Sequence, residues 1–445
     1  EYGTATAPTG QEWQQPELIG YNKLQPHAWF TSFASVDEAK GVLPEKSSYW
    51  MSLDGKWKFH FAKNPDARPK DFYQAGYNDQ AWDDVEVPMS WNMYGLQKDG
   101  TQKYGTPIYV NQWVIFKYNI AVGDWKNGVM REPPKDYTTY EYRNEVGSYR
   151  RAFTLPQNWK GREVYISFDG VDSFFYLWVN GHYVGCSKDS RDVAEFDISQ
   201  WAKPGHNEVA VEVYRSSDGS FLEAQDMFRL PGIIRSTYLT AMPELQVRDM
   251  AVRTLRADAN EATVKVDVQV RSMGKKVPAF TINHEVYPVK LYTDDTEPIA
   301  ASVRDAANDG IITLKNPRMW SAEEPWRYVL VTTLKDKKGR TIDCTSTYFG
   351  VRTVEIRDTK AEEDEFHMAG RYFYVNNKPV KLKGVNRHET NPTTGHAISR
   401  EQMEHEVMLM KQGNINHVRL SHYSNDPYWY YLSDKYGLYL EDECN

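Results

Sequence analysis

Lys383-Gly384-Val385-Asn386-Arg387-His388-Glu389 opens the stretch that decides the fold. Ser399-Arg400-Glu401-Gln402 follows, then Ile415-Asn416-His417-Val418-Arg419-Leu420-Ser421-His422, then Pro427 to Tyr436, then Gly437-Leu438-Tyr439-Leu440. Ser399 with Gln402 three residues later has the form of a capping box, which satisfies the first free N–H groups of a helix. Met403, Val407 and Met410 then recur at helical spacing as a core stripe, and Gly413 stands where that helix should stop. Residues 415–420 read as a strand. Pro427 opens a second helix, Gly437 closes it, and Leu438-Tyr439-Leu440 is the next strand. The order β-α-β-α-β with short connections requires parallel strands, because antiparallel neighbours would need no helical crossover.

The polar residues cluster at the carboxyl ends of these strands. The first ends in Asn386-Arg387-His388-Glu389, the second in Arg419-Leu420-Ser421-His422, the third in Asp442-Glu443. Parallel neighbours lie about 4.8 Å apart, so their ends share one rim. That rim is where open α/β sheets and (β/α)8 barrels bind ligands. A single histidine is more often structural, but His388 and His422 on one rim favour ligand contact. Arg419 is evenly balanced between ligand contact and an ion pair that fixes the rim, with Glu443 as partner. Asp442 and Glu443 are read as structural hydrogen-bonding groups rather than catalytic ones.

Upstream, the rhythm is β throughout. From about residue 353 the rhythm changes, and Phe373 to Val375, Asn376-Asn377-Lys378-Pro379, then Val380 and Leu382 read as a hairpin leading into a strand. In residues 246–352, Val264, Val266, Val268 and Val270 alternate strictly with polar residues, and Lys338-Gly339 turns a late hairpin. About a hundred residues of short strands fit an immunoglobulin-like sandwich. In residues 45–245, Phe174-Phe175-Tyr176-Leu177-Trp178-Val179, Asn180-Gly181 and His182-Tyr183-Val184 form the strongest short-range hairpin signal, since both turn residues tolerate positive φ. Val164, Ile166 and Phe168, and Val209, Val211 and Val213, add period-two strands, so a jelly-roll sandwich is expected. Trp178, Trp201 and Trp320 are expected in the sandwich cores. Residues 1–44, polar and proline-containing, read as an arm laid over the body. The fold class is therefore multidomain and mainly β: arm, jelly roll, immunoglobulin-like sandwich, then the first strands of a (β/α)8 barrel, left incomplete over residues 353–445.

Composition narrows the function. The chain has 445 residues, with 53 Lys plus Arg against 61 Asp plus Glu, a net charge of −8 that disfavours a nucleic-acid partner. No run of apolar residues is long enough to span a membrane. The 14 Trp, 30 Tyr and 17 Phe include flat faces suited to stacking on sugars. Cys186, Cys344 and Cys444 are far apart and form no CxxC, so neither a zinc ribbon nor a disulfide scaffold is expected. No glycine-rich phosphate loop follows a strand. The first residues show no charged segment followed by an apolar run; a leader removed beforehand would imply a periplasmic or secreted protein, and otherwise a cytoplasmic one.

The same residues carry a resemblance. Lys383 to Glu389, Met408 to Lys411, Asn416 to Tyr423, and Tyr436 through Glu443 resemble the start of the barrel in glycoside hydrolase family 2, nearest its large bacterial β-galactosidase branch. Pro107-Ile108-Tyr109-Val110-Asn111, Phe168-Asp169-Gly170-Val171, Asp218 to Glu223 and Gln225-Asp226-Met227 resemble that family's N-terminal sugar-binding domain; Gln112-Trp113 departs from its pattern. The resemblance implies retaining hydrolysis of β-galactosides through a covalent glycosyl-enzyme. It implies substrate contacts from Asn111, Asp226, His388 and His422, with His422 supporting the transition state. It also implies sodium at Asp226, magnesium held mostly by residues past Asn445, a small carbohydrate substrate and a homo-oligomer. The two catalytic glutamates of the family, nucleophile and acid/base, come from later barrel strands. Both are expected after Asn445, so the chain alone is expected to be inactive. Its third barrel strand is expected to be an edge covered by a partner, a lattice neighbour or the arm.

Three other readings stay open on sequence. β-Glucuronidase and β-mannosidase belong to the same family. Two histidines and a carboxylate on one rim suit zinc hydrolysis, although His388 stands alone on its strand. A non-catalytic carbohydrate-binding protein would also have two sandwiches rich in aromatics.

Overall fold

A computed structural model describes residues 2–110, 144–223, 225–274, 276–305, 309–363 and 367–444. The first sandwich packs a seven-stranded antiparallel sheet on a four-stranded one. The Asn180-Gly181 turn joins Phe174–Val179 to His182–Ser187, with φ of 50° and 81° at its two residues, the type I′ geometry that matches strand twist. Trp57, Phe59, Tyr149, Ile166, Phe168, Val209, Val211 and Val213 fill the space between the sheets. Phe174–Val179 is buried at every position, because a second cluster covers the sheet's outer face: Trp13 of the arm, Phe72, Tyr176 and Trp178. Trp178 thus sits outside the sandwich core. On the four-stranded sheet, Tyr165 and Ser167 between Val164, Ile166 and Phe168 are buried too, Tyr165 meeting Gln246 of the second sandwich and Ser167 meeting Glu195, where alternation had pointed to exposed positions.

The second sandwich sets Leu245–Ala257, Glu261–Ser272 and Ile311–Lys315 against a four-stranded sheet that includes Tyr328–Lys335 and Thr341–Phe349. Val264 and Val266 point into its core, as a period of two requires. The arm bridges both sandwiches. Gly20–Tyr21 pairs with the edge strand His182–Ser187, while the Phe33 amide donates to the Cys344 carbonyl at 2.7 Å. All three cysteines are free.

After the hairpin Gly370–Val375/Lys378–Val380, the chain enters a parallel sheet of Gly384–Arg387, His417–Leu420 and Tyr439–Glu441. Ser399 caps the helix Arg400–Gln412 by accepting from the Gln402 amide at 3.1 Å. The Gln402 side chain turns instead to Asn391 and Glu406, both at 2.7 Å, so only half of the box is built. Gly413 ends the helix with φ −79°, and the left-handed residue is Asn414 at +61°. Asp426 caps the helix Pro427–Tyr436, and Gly437 closes it in the left-handed region that glycine adopts freely. Trp320 lies at the seam between the second sandwich and this segment: its Nε1 donates to the Asp434 carbonyl at 2.8 Å, and its ring meets Tyr439 edge-on. Among the described residues, Tyr439–Glu441 has a strand neighbour on one side only.

Candidate functional site

Parallel register places Arg387 opposite Leu420 and Arg419 opposite Glu441. The next residues of each strand therefore emerge side by side. The His388 and His422 rings meet edge to face, 5.2 Å between centroids and 80° apart in plane. His388 is exposed and His422 partly so. Partial loss of water around the ring first, then the charges of His422, Arg191 and Arg419, hold the His388 imidazole below its ordinary pKa, against the opposing pull of Asp226. His388 is therefore neutral near pH 7.

Arg419 organises the second strand's tip. Its Nε donates to Glu443 and its Nη2 faces His422 Nδ1 at 3.2 Å. A guanidinium nitrogen only donates, so this contact makes Nδ1 the acceptor and places the ring's N–H on Nε2. Glu443 Oε2 lies slightly farther from Nδ1, at 3.4 Å. Asp442 accepts from the Tyr430 hydroxyl at 2.9 Å.

The first sandwich brings a second element close to this rim. Ile108–Val110 and Met227–Arg229 pair into a short ribbon, Tyr109 opposite Phe228. The Tyr109 hydroxyl donates to Asp226, whose carboxylate is exposed. Glu223 anchors the loop before Asp226: its two oxygens meet the Ser190 amide at 2.9 Å and hydroxyl at 2.6 Å. Burial, with nearby Asp172, pushes the Glu223 carboxyl up to about 8, so it is protonated at neutral pH. Asn111, Gln112, Trp113 and Asn445, all named from the sequence, lie outside the described residues; two of these bear on the chemistry. One is Asn111, expected to contact the sugar. The other is Asn445, after which the nucleophile, the acid/base glutamate and most magnesium ligands are expected.

Three residues that hold the rim carry no local sequence signal. Arg235 pairs with Glu389 at 2.7 Å in the interior. Arg191, also buried, stacks on the Tyr423 ring at 4.1 Å. His396 reaches the carbonyls of both Glu389 and Phe228. Their importance comes from contacts with residues far along the chain, which no spacing rule detects.

Asp226 is a hard oxygen donor of the kind sodium takes. Among the described residues no three His, Cys, Asp or Glu side chains converge to hold a metal, so neither sodium nor magnesium chemistry is derived from them. His422 Nδ1 faces a guanidinium, which also speaks against a zinc ligand at that nitrogen.

Comparison with known proteins agrees with this architecture. Residues 50–243 match the sugar-binding domain of the glycosyl hydrolases family 2, residues 245–352 a second domain model of that family, and residues 366–445 its TIM barrel domain. A beta-galactosidase of Priestia megaterium is 38% identical over 99% of this chain, and one of Halalkalibacterium halodurans 36% over 96%. The chain spans only 40% and 39% of those two proteins' lengths. Among solved structures, a beta-glycosidase from Bacteroides vulgatus superposes with TM-score 0.65 at 23% identity, covering 89% of this chain and 44% of that one. A Ruminococcus gnavus beta-glucuronidase gives 0.66 at 20% identity, covering 91% and 59%. Those two likenesses speak to fold. Taken with the three domain matches in order along the chain, the parallel strands and their polar rim are those of a glycosyl hydrolase of family 2, the family to which this chain belongs.

Proposed function

We propose that the protein to which this chain belongs is a retaining β-galactosidase, and that Asp226, His388 and His422 contact the sugar. The observation that carries the reading is the meeting of His388 and His422 at 5.2 Å on adjacent strand tips, with the Asp226 charge close enough to act on His388. A hexose between these walls presents hydroxyls to one carboxylate and two imidazoles. His422, fixed by Arg419, offers an Nε2–H donor that strengthens as charge develops on the sugar. The preference for galactose rests on the relatives named beta-galactosidase at 34–38% identity.

Retaining hydrolysis needs two carboxyl groups about 5–5.5 Å apart, one nucleophile and one acid/base. The described rim carboxylates are engaged otherwise: Glu389 with Arg235, Glu443 with Arg419, Asp442 with Tyr430. Following what the likeness to family 2 implies, we assign both catalytic groups to later barrel strands, past Asn445, and expect no turnover by the 445-residue chain alone. Sodium at Asp226 and magnesium elsewhere in the barrel remain proposals of the same reading.

The experiment compares the full encoded protein and this chain on nitrophenyl β-galactoside, β-glucuronide and β-mannoside, with the product anomer followed by NMR. The expected result is galactoside hydrolysis by the full protein with the β-anomer released first, and none by the chain. Preference for the glucuronide, or full turnover by the chain, overturns the reading.

A further inference from the structure

We propose that His396 is a positioning residue that sets the spacing between the His388 rim and the Asp226 ribbon. Its loop runs between the first barrel strand and the following helix. Gly395 has φ +72°, and a Cβ there would fall 2.6 Å from the Ser90 side chain, so glycine is what allows the loop to press onto the first sandwich. The Ser90 amide donates to the Thr394 carbonyl at 3.2 Å, and the His396 amide donates to the Ser90 hydroxyl at 3.1 Å. The imidazole is thereby carried into the interior, 1% exposed.

There its two nitrogens face two main-chain acceptors. Nδ1 lies 2.9 Å from the Glu389 carbonyl and Nε2 lies 3.0 Å from the Phe228 carbonyl. Glu389 directly follows His388. Phe228 is two residues after Asp226 and pairs with Tyr109, whose hydroxyl holds the Asp226 carboxylate. One rigid ring thus spans the two walls of the site.

A neutral imidazole has one N–H, so it can donate to only one of the two carbonyls at a time. Burial, with Arg191, keeps the ring neutral by drawing its pKa down to about 3, against the pull of both carbonyls and of the Glu389 carboxylate. The other nitrogen faces its carbonyl with no proton between them, and the ring's fixed width sets the distance between the walls. The Asp226 loop has its own tie through Glu223, but that tie runs to Ser190 within the first sandwich. His396 links the ribbon to the tip of the barrel strand itself.

The inference rests on the galactosidase reading for its effect on activity, so the experiment has two readouts. In the full encoded protein, His396→Leu, His396→Gln, Asp226→Asn and the His396→Leu/Asp226→Asn pair are assayed on nitrophenyl β-galactoside. Amide hydrogen exchange of each is followed by mass spectrometry. His396→Leu should lower kcat/KM by about tenfold, as expected of a displacement near 1 Å or less. It should also raise exchange in residues 108–110 and 227–229. His396→Gln, which keeps one donor and one acceptor, should recover much of both. In the Asp226→Asn background the same leucine should cost little, because the ribbon no longer delivers a carboxylate. Equal losses in both backgrounds, or unchanged exchange in the ribbon, overturn the proposal. If the unaltered protein hydrolyses no β-galactoside, the galactosidase reading falls, and exchange in the ribbon still decides the role of His396.

Discussion

Arg235 and Glu389 form an ion pair at 2.7 Å with both side chains buried, one from the first sandwich and one from the tip of the first barrel strand. Burial alone raises a carboxyl pKa, yet Arg235 and Arg387 outweigh it and hold Glu389 below its ordinary value. The second Glu389 oxygen accepts from the Asp426 amide at 2.7 Å, and Arg235 also donates to the Ser424 carbonyl. One contact therefore ties the sandwich to the loops after two barrel strands.

Removing one partner leaves the other charge buried and unpaired, which costs about 3–5 kcal/mol. Glu389→Ala should lose stability on that scale in denaturant unfolding. Glu389→Leu combined with Arg235→Met should lose markedly less than the two single losses added, because no lone charge remains. Additive losses would show that the pair is not coupled.

Arg419 separates orientation from stability. Its side chain is 33% exposed and that of Glu443 25%, so their ion pair is worth only about 0–1 kcal/mol. Arg419→Ala should scarcely move the unfolding midpoint, yet it should cut kcat/KM of the full protein by about tenfold to a hundredfold, because His422 loses the group that fixes its ring. Arg419→Lys should not restore activity, since one ammonium cannot serve Glu443 and His422 in the same geometry.

The His388 imidazole reports on its distance from Asp226. Asp226 is the one group among its named neighbours that favours the protonated ring. Asp226→Asn should therefore lower the His388 pKa further, read from the ring resonances of labelled histidine in an NMR titration. An unchanged or raised value would place the two groups outside electrostatic contact.

Glu223 makes stability fall as pH rises. Its pKa is raised in the fold to about 8 from 4.5, so its stabilising contribution is complete below about 4.5 and is lost as pH rises through 8. Glu223→Gln keeps an acceptor for the Ser190 amide and a donor for its hydroxyl, and has no proton to lose. Its stability relative to the unaltered chain should rise with pH between about 4.5 and 8, by on the order of 1 kcal/mol per unit. A difference independent of pH would mean that the carboxyl is already ionised.

The parallel segment was legible because its periodicity, caps and glycine stops are local: Ser399, Met403, Val407, Pro427 and Gly437 sit where helix geometry needs them. The Asn180-Gly181 hairpin was legible for the same reason. Trp320 and Trp178 were misplaced because a tryptophan's burial does not say which face buries it: one lies at a seam, the other on the sheet's outer face against Phe72 and Tyr73. Arg191, Arg235 and His396 escaped notice because each acts on a partner distant in the chain.

Sequence by itself determined the order of the elements and which strand tips carry polar side chains, since both follow from spacings of a few residues. Only the tertiary structure decided which of those side chains meet. The edge-to-face contact of His388 with His422 comes from parallel register, the partner of Glu389 from the docking of a sandwich on a barrel strand, and the two-sided reach of His396 from a glycine pressed against Ser90. Such contacts depend on long-range packing, where the free energy lies in burial and pairing and not in local conformation.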